Sequence, residues 1–265
     1  MATETGNYRD YQGPASRFPG SAPSTHVRDA RLTLLETLIP EIFTAKRCLD
    51  IGCNAGRVSC QLAFDFRAAS VTGVDIDPQL ITQAESLLAL RSSRVRPAAH
   101  DSQHVVDYFP ISAVLKHGYR FEPQGKVSHS PEPSSIPRQW PCVSFVSEDW
   151  VVSTNPATTE SYHVILALSV IKWIHLEHLD EGLVRFFRKC ASSLASGGYF
   201  IVELQPWESY EKAIRPNTAP HFQANFQKLK YRPETSFTEL LQEQGLDICT
   251  TSEALPRRII VYRKR

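Results

Sequence analysis

The chain has 265 residues, 42% of them hydrophobic, enough for one large domain with a substantial core. Its formal net charge of +1 gives no global field that would recruit nucleic acid, so any such contact must use a local patch. No apolar run approaches the roughly 20 residues of a membrane span, and no hydrophobic segment follows Met1 as a secretory signal would require.

Residues 1–25 are rich in Gly, Pro, Ser and Thr and read as an N-terminal arm. Within it, Gly6-Asn7-Tyr8-Arg9-Asp10-Tyr11 is either a lid over a site or a solvated tail. Residues 26–265 read as one domain. The spacing of Leu32, Leu35, Leu38 or Ile39, and Ile42 predicts a helix over 27–43, with Arg28 and Arg31 on it.

Residues 46–90 read as a β-α-β-α run. Cys48-Leu49-Asp50-Ile51-Gly52-Cys53-Asn54-Ala55-Gly56 is a short buried strand, a tight turn and a helix start. Gly52 permits a backbone turn that a Cβ would block, and Asn54 tolerates a left-handed conformation. The dinucleotide fingerprint G-x-G-x-x-G is absent. An acid at the strand end followed by Gly-x-x-x-Gly suits S-adenosylmethionine better, because Asp50 can face its ammonium. The other reading is an ordinary βα turn. Val71–Asp75 is strand two, and Asp75 falls 23 residues after Gly52, near the spacing of a ribose-binding acid. Asp77-Pro78 then opens a helix, with Asp77 as its cap rather than a ligand.

Residues 91–141 interrupt the pattern with seven of the 18 prolines, and read as an insertion with short helices near 103–117. His100 and His104 have metal-like spacing, but read as a solvated pair. Strand three is Cys142–Ser147, followed by Glu148-Asp149-Trp150. That acid and aromatic either serve an adenine ring or form a surface loop over a core Trp. Tyr162–Leu168 is an apolar strand four, and Ser169–His178 a polar loop at its carboxyl end, where ligands bind in open α/β sheets. Asp180–Leu194 is a helix ended by Gly197-Gly198; Tyr199–Leu204 is strand five. Leu246–Thr250 and Ile259–Tyr262 are the last strands, flanked by Arg257, Arg258, Arg263, Lys264 and Arg265. That basic cluster reads as a solubilising terminus, with a nucleic-acid contact as the alternative. None of the six cysteines forms a C-x-x-C pair, and several fall in apparent core strands or helices, which points to reduced intracellular thiols.

These motifs together resemble the bicoid-interacting family of RNA methyltransferases. The resemblance rests on Gly6-Asn7-Tyr8, Asp29-Ala30-Arg31-Leu32, Asp50–Asn54 and Gly73–Asp77. It also rests on Leu168–Leu176 with its Lys-Trp-Ile-His-Leu run, Asp180–Leu183, and Glu203-Leu204-Gln205-Pro206-Trp207. Leu204 stands where the family usually has proline, and residues 91–141 carry no pattern of the family. The resemblance implies an α/β, Rossmann-like class I methyltransferase with a mostly parallel seven-stranded sheet and an antiparallel last strand. It implies that Tyr11, Arg31, Gly52, Cys53, Asn54, Asp75, Ile76, Asp149, Trp150 and Leu168 surround S-adenosylmethionine, with S-adenosylhomocysteine as product. It places Lys172 and the arm at an RNA 5′ phosphate.

An anionic phosphate oxygen needs positioning and exclusion of water, not a general base. Lys172 can hold it as a point charge. His175 either donates to it or shapes the loop. Trp173 and Trp207 either stack on the first base or pack in the core. No metal is expected: His175 and His178 lack an evident third ligand. The expected partner is an RNA 5′ end, with RNA-associated proteins possible and no membrane. A monomer in the nucleus or cytoplasm, the nucleus preferred, completes the expectation. The alternatives are methylation of a small molecule or protein, an RNA scaffold without turnover, and, disfavoured by the missing fingerprint, a nicotinamide-dependent oxidoreductase.

Overall fold

The computed structural model describes residues 28–96, 105–119, 140–155, 161–214 and 219–265. The first helix, α1 (Ala30–Leu38), starts where the Asp29 side chain accepts a hydrogen bond from the Arg31 N–H. It buries Leu32 and Leu35 completely. It is shorter than the 27–43 stretch expected from periodicity. Pro40 disfavours helical backbone at the residue before it, and Ile39 is extended at φ −136° and ψ 95°. Ile42 and Phe43 remain buried from the turns that follow.

The next elements alternate. They are β1 (Arg47–Ile51), α2 (Arg57–Phe64), β2 (Ser70–Asp75) and α3 (Pro78–Ser93). As expected, Asp77 caps α3 by accepting from the Gln79 N–H at 2.8 Å, with Pro78 in the first turn. After α3 comes the short α4 (Ile111–His117). Buried Arg91 ties this region down through Asp65 and Asp107 at 3.0 and 3.3 Å. His100, His104 and most of the remaining insertion lie outside the described residues.

The chain then runs through β3 (Val143–Ser147), β4 (Tyr162–Leu168), α5 (Ile171–Ser193) and β5 (Leu194–Glu203). It ends with α6 (Trp207–Ala213), α7 (His221–Phe226), α8 (Ser236–Glu243), β6 (Leu246–Ser252) and β7 (Ile259–Lys264). The strands form one seven-stranded sheet in the order β3-β2-β1-β4-β5-β7-β6. All neighbours pair in parallel except at β7, which is antiparallel to both β5 and β6. This is the sheet expected. Strand order reverses between β1 and β4, so the crevice at their carboxyl ends is the switch point where such sheets bind ligands.

Two apolar layers cover the sheet. Ile165, Phe200 and Val202 face one, with Phe186 and Phe187 of α5. Val164, Leu166 and Ile201 face the other, with Leu35 and Leu62. Neighbouring residues alternate between layers because strand side chains alternate faces. A third cluster, including Leu176, Tyr210 and Phe222, seals α5 against α6 and α7.

Two expectations need correction. Residues 171–178 are helical, not loop, and α5 runs on to Ser193 across one non-helical residue, Leu179 (φ 60°, ψ −169°). Ile171, His175 and Leu176 are buried at helical spacing, which drives this first part to fold as helix. Gly197 and Gly198 lie inside β5 rather than ending the helix. A Cβ at Gly198 would sit 2.9 Å from the Ala195 carbonyl oxygen and 3.0 Å from that of His163, so glycine lets strands meet at this irregularity.

Candidate active site

The site is built from the carboxyl ends of β1, β2, β4 and β5. After β1 the chain turns through Gly52 (φ 72°) and Asn54 (φ 51°), both left-handed. The Gly52 and Cys53 N–H groups donate to the Val74 carbonyl at 2.8 and 3.0 Å, which pins the turn to β2. A Cβ at Gly52 would lie 2.6 Å from Val170, so this turn and the start of α5 touch only because residue 52 is glycine. Cys53 is buried, with its thiol directed to the Asn54 carbonyl.

Asp75 ends β2. Its two oxygens accept from the Asn54 N–H at 2.9 Å and the Asp77 N–H at 3.0 Å. Burial raises its pKa, against those two bonds. Each oxygen keeps a lone pair, so the carboxylate can accept from two further donors such as a ribose diol. Beside it, Ile76 is 41% exposed, an apolar face at a sheet edge. Asp50, at the β1 end, is 2% exposed and accepts from the Ser59 hydroxyl at 2.6 Å. Burial pushes its carboxyl up to about 6, against Ser59 and the Arg31 charge.

Arg31 lies buried in an ion network. It meets Asp29 through two hydrogen bonds at 2.9 and 2.6 Å and Glu203 through a third at 2.9 Å. Burial works against its charge, but the two carboxylates outweigh it and hold the guanidinium above its ordinary pKa. Glu203, at the end of β5, also accepts from the Ser169 hydroxyl. Leu168, the last residue of β4, pairs with Glu203 across the sheet. Ser169 is left-handed at φ 63° and accepts from Arg257 at 2.7 Å.

Lys172 follows in the first turn of α5. It is 8% exposed, and its ammonium donates to the Ser209 carbonyl at 3.2 Å and lies 4.6 Å from the Trp173 ring. Burial, helped by Arg257, pulls its pKa down to about 8. Among the described residues it has no carboxylate partner.

The remaining residues proposed from sequence separate into two groups. Asp149 lies at the β3 end, accepting from the Val151 N–H at 3.0 Å and pairing with His178 at 2.9 Å. Burial raises the Asp149 carboxyl, but His178 and the backbone N–H groups outweigh it. Trp150 is buried and packs in the core against Phe186, with Lys189 4.4 Å from its ring. His175 is fully buried: Nε2 lies 2.8 Å from Asp180 and Nδ1 3.4 Å from the Tyr210 hydroxyl. Burial holds its pKa below the ordinary value, against Asp180. Both nitrogens thus face interior partners. Trp207 stacks on Tyr210 and Phe226 at 4.8 Å each, and Trp173 packs near Phe222, so both belong to the third apolar cluster. Tyr11 and the rest of the arm lie outside the described residues.

Sequence reading places Ser169 and His178 in a polar loop and Arg257 in a basic cluster, without the side-chain partners the structure gives them. Glu203 carried a signal, a charged residue closing an apolar strand. Nothing local ties Arg257 to Ser169, which is 88 positions away. Among the described residues, no group of three or more His, Cys, Asp or Glu can hold a metal ion. All six cysteines are free, and no helix among the described residues is long and apolar enough to cross a membrane.

A parallel sheet with one reversed strand, and a glycine turn and an acid at its switch point, define the class I methyltransferase fold. Residues 48–113 match the methyltransferase domain model, and residues 162–264 match the model of Bicoid-interacting protein 3 (Bin3). The N-methyltransferase NodS of Bradyrhizobium japonicum, solved in complex with S-adenosylhomocysteine, superposes with a TM-score of 0.50 at 13% identity, covering 88% of this chain and 85% of that one. That likeness concerns the fold alone.

A probable RNA methyltransferase of Arabidopsis thaliana is 30% identical over 98% of this chain and 80% of its own length. The 7SK snRNA methylphosphate capping enzyme of Mus musculus is 31% identical over 86% of this chain; the match spans 34% of that protein. The chain belongs to the Bin3 family of S-adenosylmethionine-dependent methyltransferases.

Proposed function

We propose that this protein methylates the 5′-terminal phosphate of an RNA. The observation that carries the reading is Lys172. It is a buried ammonium at the carboxyl end of the sheet whose described hydrogen bond is to a backbone carbonyl and whose charged neighbour is another cation. Such a charge is expensive to bury unless an anion completes the site. The names of the relatives support the same reading: the mouse relative is a methylphosphate capping enzyme, and a rat relative, 25% identical, is an RNA 5′-monophosphate methyltransferase.

The residues at the sheet edge fit S-adenosylmethionine. Asp75 has two oriented oxygens for ribose hydroxyls, and Ile76 offers an apolar face to a ring. Asp149 is the acceptor at the same end, and Leu168 closes the apolar wall. Gly52, Cys53 and Asn54 form the turn beneath the donor, Asp50 provides negative charge for an ammonium, and Arg31 provides positive charge for a carboxylate. Tyr11, outside the described residues, is assigned to the cofactor by the family resemblance alone. When bound, the cofactor supplies a methyl group on a sulfonium, which an anionic oxygen accepts without a base. Lys172 fixes that oxygen and offsets its charge. His175 is a positioning residue: its contacts with Asp180 and Tyr210 hold the first turns of α5, and hence Lys172, in place. Free thiols and an RNA partner fit a nuclear or cytoplasmic location, the nucleus preferred.

Asp50 gives a pH signature. Affinity for S-adenosylhomocysteine, measured by calorimetry, is expected to fall as pH drops through about 6, where the carboxylate protonates. Stability moves the other way. The folded carboxyl is raised above the ordinary 3.8, so the folded state holds the extra proton between about 4 and 6. This group's contribution therefore favours the unliganded fold at low pH and is lost as pH rises through that window. An affinity that is flat from pH 7 to 5 would remove Asp50 from the ammonium.

The proposal is tested by incubating cellular RNA with the protein and labelled S-adenosylmethionine, then mapping the label. Label at 5′ termini, released as a methylated phosphate, supports it; label on internal bases or ribose overturns it.

A further inference from the structure

We propose that Arg257 is a second ligand of the acceptor phosphate and that, with Lys172, it makes the pocket selective for a doubly charged terminal phosphate. The inference rests on the phosphate-acceptor reading above and assigns a residue and a charge rule to it. Arg257 sits in the loop between β6 and β7, with its side chain 32% exposed. One guanidinium nitrogen donates to the Ser169 hydroxyl at 2.7 Å and lies 4.0 Å from Glu203. Ser169 is three residues before Lys172, so the contact holds the guanidinium beside the entry to α5. Arg257 and Lys172 are close enough for one charge to depress the other's proton affinity.

Among the described residues, the carboxylate in ion-pair range of either cation is Glu203, 4.0 Å from Arg257. Glu203, at the limit of ion-pair range from Arg257, is already engaged by Arg31 at 2.9 Å. Among the described residues, the Lys172 ammonium donates to the Ser209 carbonyl and lies over the Trp173 ring, with no carboxylate partner. A guanidinium has five N–H donors, and the described contacts of Arg257 leave most of them for a ligand. Two adjacent cations, one a planar fork and one a point charge, match a group with several anionic oxygens.

The charge count then separates possible ligands. A terminal phosphate carries about −1.5 to −2 charges at pH 7. An internal phosphodiester carries one. Transfer forms an O–CH3 bond, breaks the S–CH3 bond, returns its electron pair to sulfur and leaves a methyl ester with one negative charge fewer. The pocket therefore holds substrate more tightly than product or the RNA interior, which directs the enzyme to chain ends and promotes release after transfer.

The test compares binding of three oligoribonucleotides of one sequence, with 5′-phosphate, 5′-methylphosphate and 5′-hydroxyl ends, alongside methyl-transfer kinetics. The proteins are the wild type, Arg257→Ala and Arg257→Gln; the Gln side chain can keep a donor for Ser169 without the charge. The wild type is expected to bind the phosphate end about ten- to hundredfold more tightly than the methylphosphate end. Both variants should lose most of that preference and raise KM by a similar factor, with S-adenosylhomocysteine affinity and Tm unchanged. Folded variants that keep wild-type KM and preference would overturn the role of Arg257 while leaving the proposed function standing. A wild type that methylates 5′-hydroxyl RNA equally well would overturn the phosphate-acceptor reading, and this inference with it.

Discussion

Lys172→Ala is expected to lose about 10²–10³-fold in methyl transfer while binding S-adenosylhomocysteine as the wild type does. The magnitude is that of one fixed donor aimed at a reacting oxyanion, about 2.7–4 kcal/mol. The separation of the two effects follows from position. Lys172 lies in the first turn of α5 and touches none of Asp50, Asp75 or Asp149 in the described contacts. Its removal frees the Ser209 carbonyl and one contact with the Trp173 ring, so a Tm measurement must accompany the kinetics. A second signature comes from its pKa of about 8. The ammonium must be charged to hold the acceptor, so transfer by the wild type should decline as pH rises past about 8. That decline should vanish from the residual activity of the variant. A folded Lys172→Ala protein with full activity would return Lys172 to the status of a structural residue.

Asp75→Ala is expected to weaken S-adenosylhomocysteine binding by about 1.5–3 kcal/mol, the range for hydrogen bonds to a charged acceptor. The carboxylate does two things at once. It accepts from the Asn54 and Asp77 N–H groups, fixing the turn after β1 and the entry to α3, and in the proposed function its remaining lone pairs take the ribose. Alanine removes both functions, so the loss should fall at the upper end of that range. Asp75→Asn keeps the shape but replaces one acceptor by a donor, and should lose less. Unchanged affinity by calorimetry in a folded Asp75→Ala protein would remove this residue from the site.

The parts of the molecule that were legible in sequence are those fixed by local rules. The left-handed turn at Gly52 and Asn54 and the acid that ends β2, Asp75, have short-range signatures. So does the helix cap at Asp77. The expected extent of α1 missed the restriction that Pro40 places on Ile39. The first turns of α5 looked like a polar loop because Lys172 and His175 are polar. They are helical because His175 is buried against Tyr210 and Phe237, contacts that no local window contains. Trp150 had two readings in the sequence, and its packing under Phe186, thirty-six positions on, puts it in the core. Arg257 looked like part of a basic terminus, yet its basic neighbours are engaged elsewhere: Arg258 with Glu253 and Arg265 with Asp247. What distinguishes Arg257 is a loop returning to the β4 edge, and sequence periodicity does not encode that return.

The central claim is that the acceptor is a terminal phosphate. Its most direct measurement is methyl transfer from labelled S-adenosylmethionine to two synthetic RNAs identical except for a 5′-phosphate or a 5′-hydroxyl end, followed by mass analysis of the terminal nucleotide. One methyl group is expected on the phosphate of the first RNA and none on the second. Equal labelling of both, or a methyl group found on a base or a ribose, would contradict it.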